Sequence, residues 1–310
     1  MGGHRQTLLG YWRRRRLAWP HPTEDLVVET KEDVKLLLRA SWQPGRRDQH
    51  PALLLVHGLG ASDVAKYCVA TGELAFRRGW HVIRMNMRGA GDSLGLSPVL
   101  YHAGLDDDVV AAVQEVARRV PRVALLGFSL GANLALLAAG RSGARLPPEL
   151  RGMVAVSAPL DLGACTDAIG RPGNRLYQAY FMGGLRRGYR ERQLASPHLY
   201  AAGRERGARS IRDYDERITA QYGGYRDAAE YYARSSAGPH LASITLPTLL
   251  VAAADDPMIP IASVERWPLS AAVTREVLPT GGHLGFVAPT AALGSFWAAE
   301  RALDYLARLV

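Results

Sequence analysis

The segment from Arg122 to Gly140, RVALLGFSLGANLALLAAG, constrains the fold of this chain more than any other segment. It reads as an apolar strand, one polar serine and an apolar helix, with a glycine two positions from Ser129 on either side. A sharp strand-to-helix turn holds its apex residue in strained backbone with the side chain pointing out of the sheet, and only glycine fits beside it. The pattern therefore predicts an exposed hydroxyl at a helix N-terminus, although a plain tight turn has the same pattern.

Short apolar strands alternate with helical patterns along the chain, which favours parallel βα units in a sheet covered on both faces. An antiparallel pair is predicted at the start, and the predicted strands are Leu26–Glu29, Val34–Trp42, Ala52–Val56, Trp80–Asn86, Val123–Leu126, Met153–Val156, Thr248–Ala252 and Arg275–Leu278. The predicted helices of this core are Asp63–Arg78, Leu105–Arg119, Leu130–Ala139 and about Leu293–Leu309. The predicted class is α/β, with a mostly parallel central sheet.

The pattern changes between residues 159 and 246, where Arg, Tyr and Gly are frequent and no strand is obvious. We interpret this segment as a mostly helical insertion that covers the carboxyl edge of the sheet. The predicted organisation is therefore a first part of the core over 1–158, a helical cap over 159–246 and the rest of the core over 247–310. Residues 1–20 form a basic N-terminal arm of the first part.

The formal net charge is +9 at pH 7. The basic residues are spread along the chain rather than gathered in one stripe, so a solvated basic surface is favoured over nucleic-acid binding. Cys68 and Cys165 lack metal-ligand spacing and are interpreted as buried apolar residues in a reducing compartment. No apolar run reaches the roughly 18–20 residues of a membrane span, and the N-terminus lacks the apolar region of a signal peptide. We therefore expect a cytoplasmic protein.

A serine at its ordinary pKa needs a base, and in chains with this turn an acid and then a histidine follow the serine. His283 stands in the loop GGHLG after a predicted strand, and we predict that it is the base. Asp255 and Asp256 both follow the strand Thr248–Ala252, so either can be the acid. The spacing DPMIP favours Asp256, and we expect the other aspartate to cap the short helix that follows.

The pattern His57-Gly58-Leu59-Gly60 follows the predicted strand Ala52–Val56. At such a position the backbone N–H of Leu59, together with that of Leu130, would bind an oxyanion. We interpret the His57 ring as a group that hydrogen-bonds to neighbouring loops and shapes the turn. The sequence contains no HExxH pattern and no His/Cys cluster, which argues against a zinc site.

These motifs resemble the α/β-hydrolase superfamily, and more narrowly its YheT-like esterase branch. The chain departs from the branch at Gln221, where proline is usual, and at Arg5, where an apolar residue is usual. The matching segments are Gly3–Thr7, Asn86–Gly89, Tyr101–Gly104 with Asp107 and Asp108, Phe128–Asn133, Asp227–Ser236 and Gly281–Phe286.

The resemblance implies a serine esterase without a cofactor, which acts through an acyl-enzyme on short- to medium-chain acyl or acylglycerol-type esters. The cap residues Tyr177, Tyr180, Phe181 and Met182 would line the acyl pocket, or they form a helix-packing face. Thioester or amide cleavage uses the same triad, and a non-catalytic lipid-binding protein is a further alternative. Arg13, Arg14, Arg15 and Arg16 lie near aromatic residues and would give weak, salt-sensitive contact with an anionic membrane.

Overall fold

The computed structural model describes residues 2–287 and 296–310. Its strands form one sheet and are β1 (Glu24–Lys31), β2 (Val34–Ser41), β3 (Ala52–Val56), β4 (His81–Asn86), β5 (Val123–Phe128), β6 (Leu150–Val156), β7 (Thr248–Ala253) and β8 (Val273–Leu278). The order across the sheet is β1-β2-β4-β3-β5-β6-β7-β8. The β1–β2 and β2–β4 pairs are antiparallel, and the other pairs are parallel. The predicted fold class is confirmed.

The helices that flank the sheet or lie before it are α1 (Gly3–Arg14), α2 (Lys66–Arg77), α3 (Asp106–Ala117), α4 (Leu130–Ser142), α10 (Ile261–Glu265) and α11 (Trp297–Leu306). The helices between β6 and β7 are α5 (Leu162–Ile169), α6 (Arg175–Ala195), α7 (Ile211–Tyr214), α8 (Ala220–Gly223) and α9 (Ala228–Ser235), with a π-helical turn at Asp215–Thr219. Within the described ranges, no helix is both long enough and apolar enough to cross a membrane.

Strand β3 separates the two apolar layers of the core. Leu54 packs in the layer that contains α3 and α4, whereas Leu53 and Leu55 pack in the layer that contains α2 and α11. All three leucines are at most 1% exposed. Alternate side chains of a strand point to opposite faces of a sheet, so an uninterrupted apolar strand is stable only when both faces are covered.

The strands lie within three residues of their predicted bounds, and the four predicted core helices each differ from theirs at one or both ends. Helix α4 ends at Ser142 rather than Ala139. Helix α2 begins at Lys66 rather than Asp63. The backbone N–H of Asp63 donates to Asn86 Oδ1 at 2.9 Å, and this bond keeps the residues just before Lys66 in a turn. The closing helix is described from Trp297 to Leu306, so the prediction of Leu309 as its end was three residues too long. Residues 293–295 of that prediction lie outside the described residues.

The N-terminal arm contains a helix that the sequence did not predict. Helix α1 covers Gly3–Arg14, and its buried residues include Gln6, Gly10 and Arg14. An apolar stripe of helical period is absent from this segment, since glycine, glutamine and arginine occupy the buried positions. Contacts with distant loops stabilise the helix instead, and these contacts are described with the site below.

The segment between β6 and β7 is helical, as predicted, and it packs in two parts. Its first part has a small apolar cluster of its own, which includes Met182, Tyr189 and Ile211. Its last part joins the main core, where Tyr232 and Leu241 are buried. The division of the chain into core and cap at residues 158 and 246 stays a prediction.

Asn133 on helix α4 connects the core to the end of this segment. Its Nδ2 donates to the carbonyl oxygens of Ser235 and Ala103 at 2.8 and 3.2 Å, and its Oδ1 accepts from the backbone N–H of Ala237 at 2.9 Å. The side chain is fully buried. A buried amide with both ends satisfied holds its three partners in one arrangement, because an unmade bond there costs about 1–3 kcal/mol.

Replacement of Gly131 by alanine should lower the free energy of unfolding by about 1–3 kcal/mol or more. A Cβ atom at Gly131 would lie 2.4 Å from the carbonyl oxygens of both Val56 and His57. The matched control is Gly143→Ala at the end of the same helix, where a Cβ atom would meet nothing within 4 Å. Gly143 has helical backbone with φ −52°, so this control should be neutral or slightly stabilising.

Urea unfolding of the wild type and the two variants measures the difference. Equal stability of Gly131→Ala and Gly143→Ala would contradict the close contact between α4 and β3.

Candidate active site

Ser129 stands at the apex of the turn between β5 and α4 in backbone that an L-residue rarely adopts. Its φ is 52° and its ψ is −118°. A Cβ atom at Gly127 would lie 2.4 Å from the carbonyl oxygen of Gly131, and Gly131 itself lies against strand β3. The crowding expected of the two flanking glycines is therefore present. A strained residue persists only where its surroundings over-determine it, as these contacts do.

The structure brings three predicted side chains together at the carboxyl edge of the sheet. His283 Nε2 lies 3.1 Å from Ser129 Oγ, and His283 Nδ1 lies 2.9 Å from Asp256 Oδ2. The side chains of His283 and Asp256 are 9% and 2% exposed. The other carboxylate oxygen of Asp256 accepts from the backbone N–H groups of Met258 and Ile259 at 2.8 and 3.1 Å. These bonds leave Oδ2 aimed at the imidazole.

Asp255 has a different role from the one expected. Its Oδ1 accepts from the backbone N–H groups of Gly281 and Gly282, both at 2.8 Å, and helix α10 has no side-chain cap. The expectation that this aspartate caps the following helix was wrong. Asp255 therefore faces the backbone of the histidine loop, whereas Asp256 faces the ring of His283.

Helix α1 holds the loop that carries His283. Thr7 Oγ1 accepts from the backbone N–H of His283 at 2.9 Å, and Gln6 Oε1 accepts from that of Val287 at 2.9 Å. Arg14 Nη2 donates to the carbonyl oxygen of Leu284 at 2.6 Å. Sequence reasoning assigned no role to Gln6 or Thr7, and it assigned Arg14 to a membrane contact instead. The segment Gly3–Thr7 could have indicated this role, because it matches a motif of the family. The motif by itself does not say what these residues contact.

Arg14 is therefore not available for a membrane. Its side chain is 5% exposed, and burial lowers its pKa to about 10. The prediction that all of Arg13–Arg16 contact a membrane was wrong for this residue, whereas Arg13, Arg15 and Arg16 are exposed. The buried guanidinium lies 4.4 Å from the centre of the Phe296 ring, so a hydrogen bond and a cation–π contact replace its hydration.

Two backbone N–H groups beside Ser129 lack a hydrogen-bond partner in the described part of the chain. They belong to Leu59 and Leu130, which line one cavity together with Ser129 and His283. The N–H groups of the residues on either side of Leu59 donate to the hydroxyls of Tyr67 and Tyr101, each at 2.8 Å. These bonds hold the loop after β3 in place while the Leu59 amide remains available to a ligand.

His57 is fully buried, and its ring is occupied by backbone groups. The ring Nε2 accepts from the backbone N–H of Met87 at 3.2 Å, and Nδ1–H donates to the carbonyl oxygen of Gly58 at 2.8 Å. Burial lowers the pKa of His57 to about 4. The interpretation that this ring shapes the turn is confirmed.

The cavity extends from Ser129 beneath the helices of the segment between β6 and β7. Of the four aromatic and Met residues considered for an acyl pocket, Phe181 lines it. Met182 packs in the separate apolar cluster of the inserted helices, Tyr180 is 65% exposed, and the Tyr177 hydroxyl lies 3.2 Å from His4 Nδ1. Of the two alternatives, pocket lining therefore holds for Phe181, and helix packing holds for Met182.

No three His, Cys, Asp or Glu side chains among residues 2–287 and 296–310 are close enough together to hold a metal ion.

The turn that carries Ser129 joins a strand of a mostly parallel sheet to a helix, which is where α/β hydrolases carry their serine. A family model described as alpha/beta hydrolase fold matches residues 51–288, from strand β3 to the histidine loop. The chain belongs to the α/β-hydrolase family.

Relatives of this chain have esterase and lipase names. It is 30% identical to "Putative esterase YheT" of Escherichia coli (strain K12), over 98% of this chain and 89% of that protein. It is 30% identical to mouse "Phospholipase ABHD3" and 26% identical to the Saccharomyces cerevisiae "Monoacylglycerol lipase", over 76% and 84% of this chain. The chain spans only 58% and 59% of those two proteins. These three relatives are thus of the esterase and lipase type.

A solved structure with the same fold is the Pyrococcus furiosus esterase Pf2001. Its TM-score is 0.61 at 17% identity, and the match covers 93% of each chain.

Replacement of His57 by asparagine should reduce the acid sensitivity of the fold. Because the pKa of His57 is about 4 in the folded chain and near 6.5 when unfolded, only the unfolded chain gains a proton between these values. The free energy of unfolding therefore falls as the pH drops through this window. The stability advantage of the wild type over His57→Asn should shrink by about 3 kcal/mol between pH 7 and pH 4.

Urea unfolding at several pH values measures this difference, with the exposed His198→Asn as the control. A constant difference between wild type and His57→Asn would contradict a neutral buried imidazole.

Proposed function

We propose that this protein is a serine carboxylic-ester hydrolase, with Ser129 as nucleophile, His283 as base and Asp256 as the acid that orients His283. The observation that carries the proposal is the hydrogen-bonded series of these three side chains, with distances of 3.1 and 2.9 Å, at a strained serine. A serine becomes nucleophilic when a neighbouring base accepts its proton, and the base needs an orienting partner. This geometry supplies both partners.

In the proposed reaction, Ser129 Oγ attacks the acyl carbon of an ester while its proton passes to His283 Nε2. The negative charge that develops on the carbonyl oxygen is bound by the N–H groups of Leu59 and Leu130. His283 then returns the proton to the departing alcohol, and an acyl-enzyme remains. Water, deprotonated by His283, then attacks the acyl carbon, and His283 passes that proton to Ser129 Oγ as the acid leaves. Asp256 accepts from Nδ1–H throughout, which keeps the imidazole in the required tautomer.

We further propose that residues 159–246 act as a cap and that the substrates are short- to medium-chain acyl or acylglycerol-type esters. The names of the phospholipase and monoacylglycerol lipase relatives support the lipid-ester class. Thioesters and amides are cleaved by the same triad, so they belong in the substrate panel. Cys68 and Cys165 are buried and unpaired, which supports a reducing compartment such as the cytoplasm.

Replacement of Ser129 by alanine should lower kcat for 4-nitrophenyl butyrate by about 10³-fold or more, because the nucleophile is lost. Asp256→Asn should lower kcat by roughly 10³–10⁴-fold with little change in KM, because the imidazole loses its tautomer. The matched control is Ser142→Ala at the other end of helix α4, which should behave as the wild type.

A fluorophosphonate probe followed by peptide mapping provides a second measurement. The proposal fails if Ser129→Ala turns over esters at the wild-type rate, or if the probe labels the protein at another residue.

A second candidate property is contact with an anionic lipid surface through one face of α1. Leu8, Tyr11 and Trp12 are 55%, 61% and 56% exposed, and their spacing places them on one side of the helix. Arg15 lies over the Trp12 ring at 4.7 Å, and Arg13 and Arg16 are exposed nearby. Aromatic residues beside cations are typical of helices at a membrane interface, and each cation contributes about 1 kcal/mol.

The double variant Tyr11→Ser, Trp12→Ser should lose most of its co-sedimentation with phosphatidylglycerol-containing vesicles at low salt. Point substitutions are required because deletion of residues 1–20 would also remove the bonds from Thr7 and Arg14 to the histidine loop. The control is Leu194→Ser, which changes an exposed leucine (77%) at the C-terminal end of α6. Equal binding by both variants would refute contact through α1.

A further inference from the structure

Arg192 is a buried cation in the wall of the cavity that contains Ser129. It lies on helix α6, its side chain is 2% exposed, and it lines the cavity together with Gly89 and Tyr222. In the part of the chain that the structure describes, no carboxylate oxygen lies within 4.0 Å of its guanidinium. Burial lowers its pKa, and the nearby Tyr200 hydroxyl offsets this effect only in part.

One edge of this guanidinium is occupied and the other is not. Nη1 donates to the carbonyl oxygens of Leu94, at 2.9 Å, and Ser97. Nε is buried and has no partner in the described part of the chain, and no bond of Nη2 to the described residues exists either. Nε–H and Nη2–H form the parallel pair of donors with which arginine holds a carboxylate or a phosphate.

Gly89 allows the Arg192 guanidinium to lie directly against the turn after β4. Its φ is +69°, and a Cβ atom there would lie 1.8 Å from Arg192 Nη2. Any other residue at this position would displace the guanidinium from the cavity wall. The turn after β4 therefore accommodates the arginine and does not neutralise it.

Arg88, in the same cavity wall, is the internal comparison. Its Nε and Nη2 donate to the two carboxylate oxygens of Asp108 at 2.7 and 2.6 Å, and both residues are buried. A buried charge is costly unless it is paired, and this pair follows that rule. Arg192 is the exception, and a buried unpaired charge in a cleft is typical of a functional site.

The acid of the same cavity, Asp215, does not compensate for Arg192. Its two carboxylate oxygens accept from the hydroxyls of Thr219 and Tyr232, at 2.6 and 2.7 Å. Burial raises the pKa of Asp215 to about 6. The carboxylate is thus held by its own neighbours, and the opposite charge that Arg192 lacks is left to a ligand.

We propose that Arg192 binds an anionic group of the substrate, so that the preferred esters carry a carboxylate or a phosphate away from the ester bond that Ser129 attacks. This proposal rests on the proposed function and names its substrate class. Nη2, which has no hydrogen-bond partner among the described residues, makes the contact with the anion. The alternative is that Arg192 only fastens α6 to the carbonyl groups of Leu94 and Ser97.

Two matched pairs of esters separate these possibilities and the two anions. The first pair is 4-nitrophenyl hemiglutarate and 4-nitrophenyl valerate, which differ by a carboxylate on the acyl side. The second pair is 1-decanoylglycerol-3-phosphate and 1-decanoylglycerol, which differ by a phosphate on the alcohol side. The wild type should have a higher kcat/KM for the anionic member of at least one pair, and that pair identifies the anion.

Arg192→Met should lower this preference about tenfold or more, which is the effect of one charge-assisted hydrogen bond, and should change kcat/KM for the neutral esters much less. Arg192→Lys keeps the charge and should retain part of the preference. The matched control is Arg187→Met, an exposed arginine on the same helix, which should keep the wild-type ratio. If Arg192→Met does not fold, competitive inhibition of wild-type valerate hydrolysis by glutarate or inorganic phosphate provides the measurement, and its presence supports the proposal.

A wild type without preference in either pair overturns the anion site. The anion site is also overturned if Arg192→Met lowers kcat/KM equally for the anionic and the neutral esters, so that the preference for the anionic ester is unchanged. Arg192 would then have only a structural role. Failure of the proposed function is distinct, because then none of the four esters is cleaved in a Ser129-dependent manner.

Discussion

The contact between helix α4 and strand β3 at Gly131 is the constraint on which the site depends. At this point the backbone of the helix lies so close to the carbonyl groups of Val56 and His57 that there is no room for a side chain. The helix must therefore begin abruptly after β5, and Ser129 takes up the strained φ of 52° that connects them. The same contact brings the loop after β3 beside Ser129, so the amides of Leu59 and Leu130 share one cavity.

A second close approach, between α1 and the loops after β7 and β8, determines the position of His283. A Cβ atom at Gly3 would overlap the carbonyl oxygen of Asp255, and one at Gly10 would lie 2.8 Å from the Cα of Gly285. At this short distance the side chains of α1 form hydrogen bonds with the backbone of the histidine loop. In that loop Leu284 has a strained φ of 55°. Strain in a loop persists where hydrogen bonds hold it, and α1 supplies these bonds from the far end of the chain.

The sequence predicted central strands such as β3 and β5 because they are buried on both faces and are therefore apolar throughout. It placed His283 and the aspartate pair correctly after strands β8 and β7, since the carboxyl ends of parallel strands meet at one edge. Helix α1 was missed because polar residues and glycines make its buried face. The sequence left pocket lining and helix packing open for the aromatic and Met residues of α6, because the rotation of a helix depends on which neighbours it packs against.

The sequence by itself determined the α/β class, the strand–serine–helix turn and the chain order of serine, acid and histidine, because these follow from local patterns of apolar residues and glycines. Only the tertiary structure shows that Asp256, and not Asp255, faces the ring of His283. The orientation of each side chain depends on which loop lies opposite it. The tertiary structure also decided that Arg14 is buried beneath the histidine loop and that Arg192 faces the cavity without an acid. The sequence shows which residues are charged but not which residues they contact, because those contacts form only when distant segments fold together.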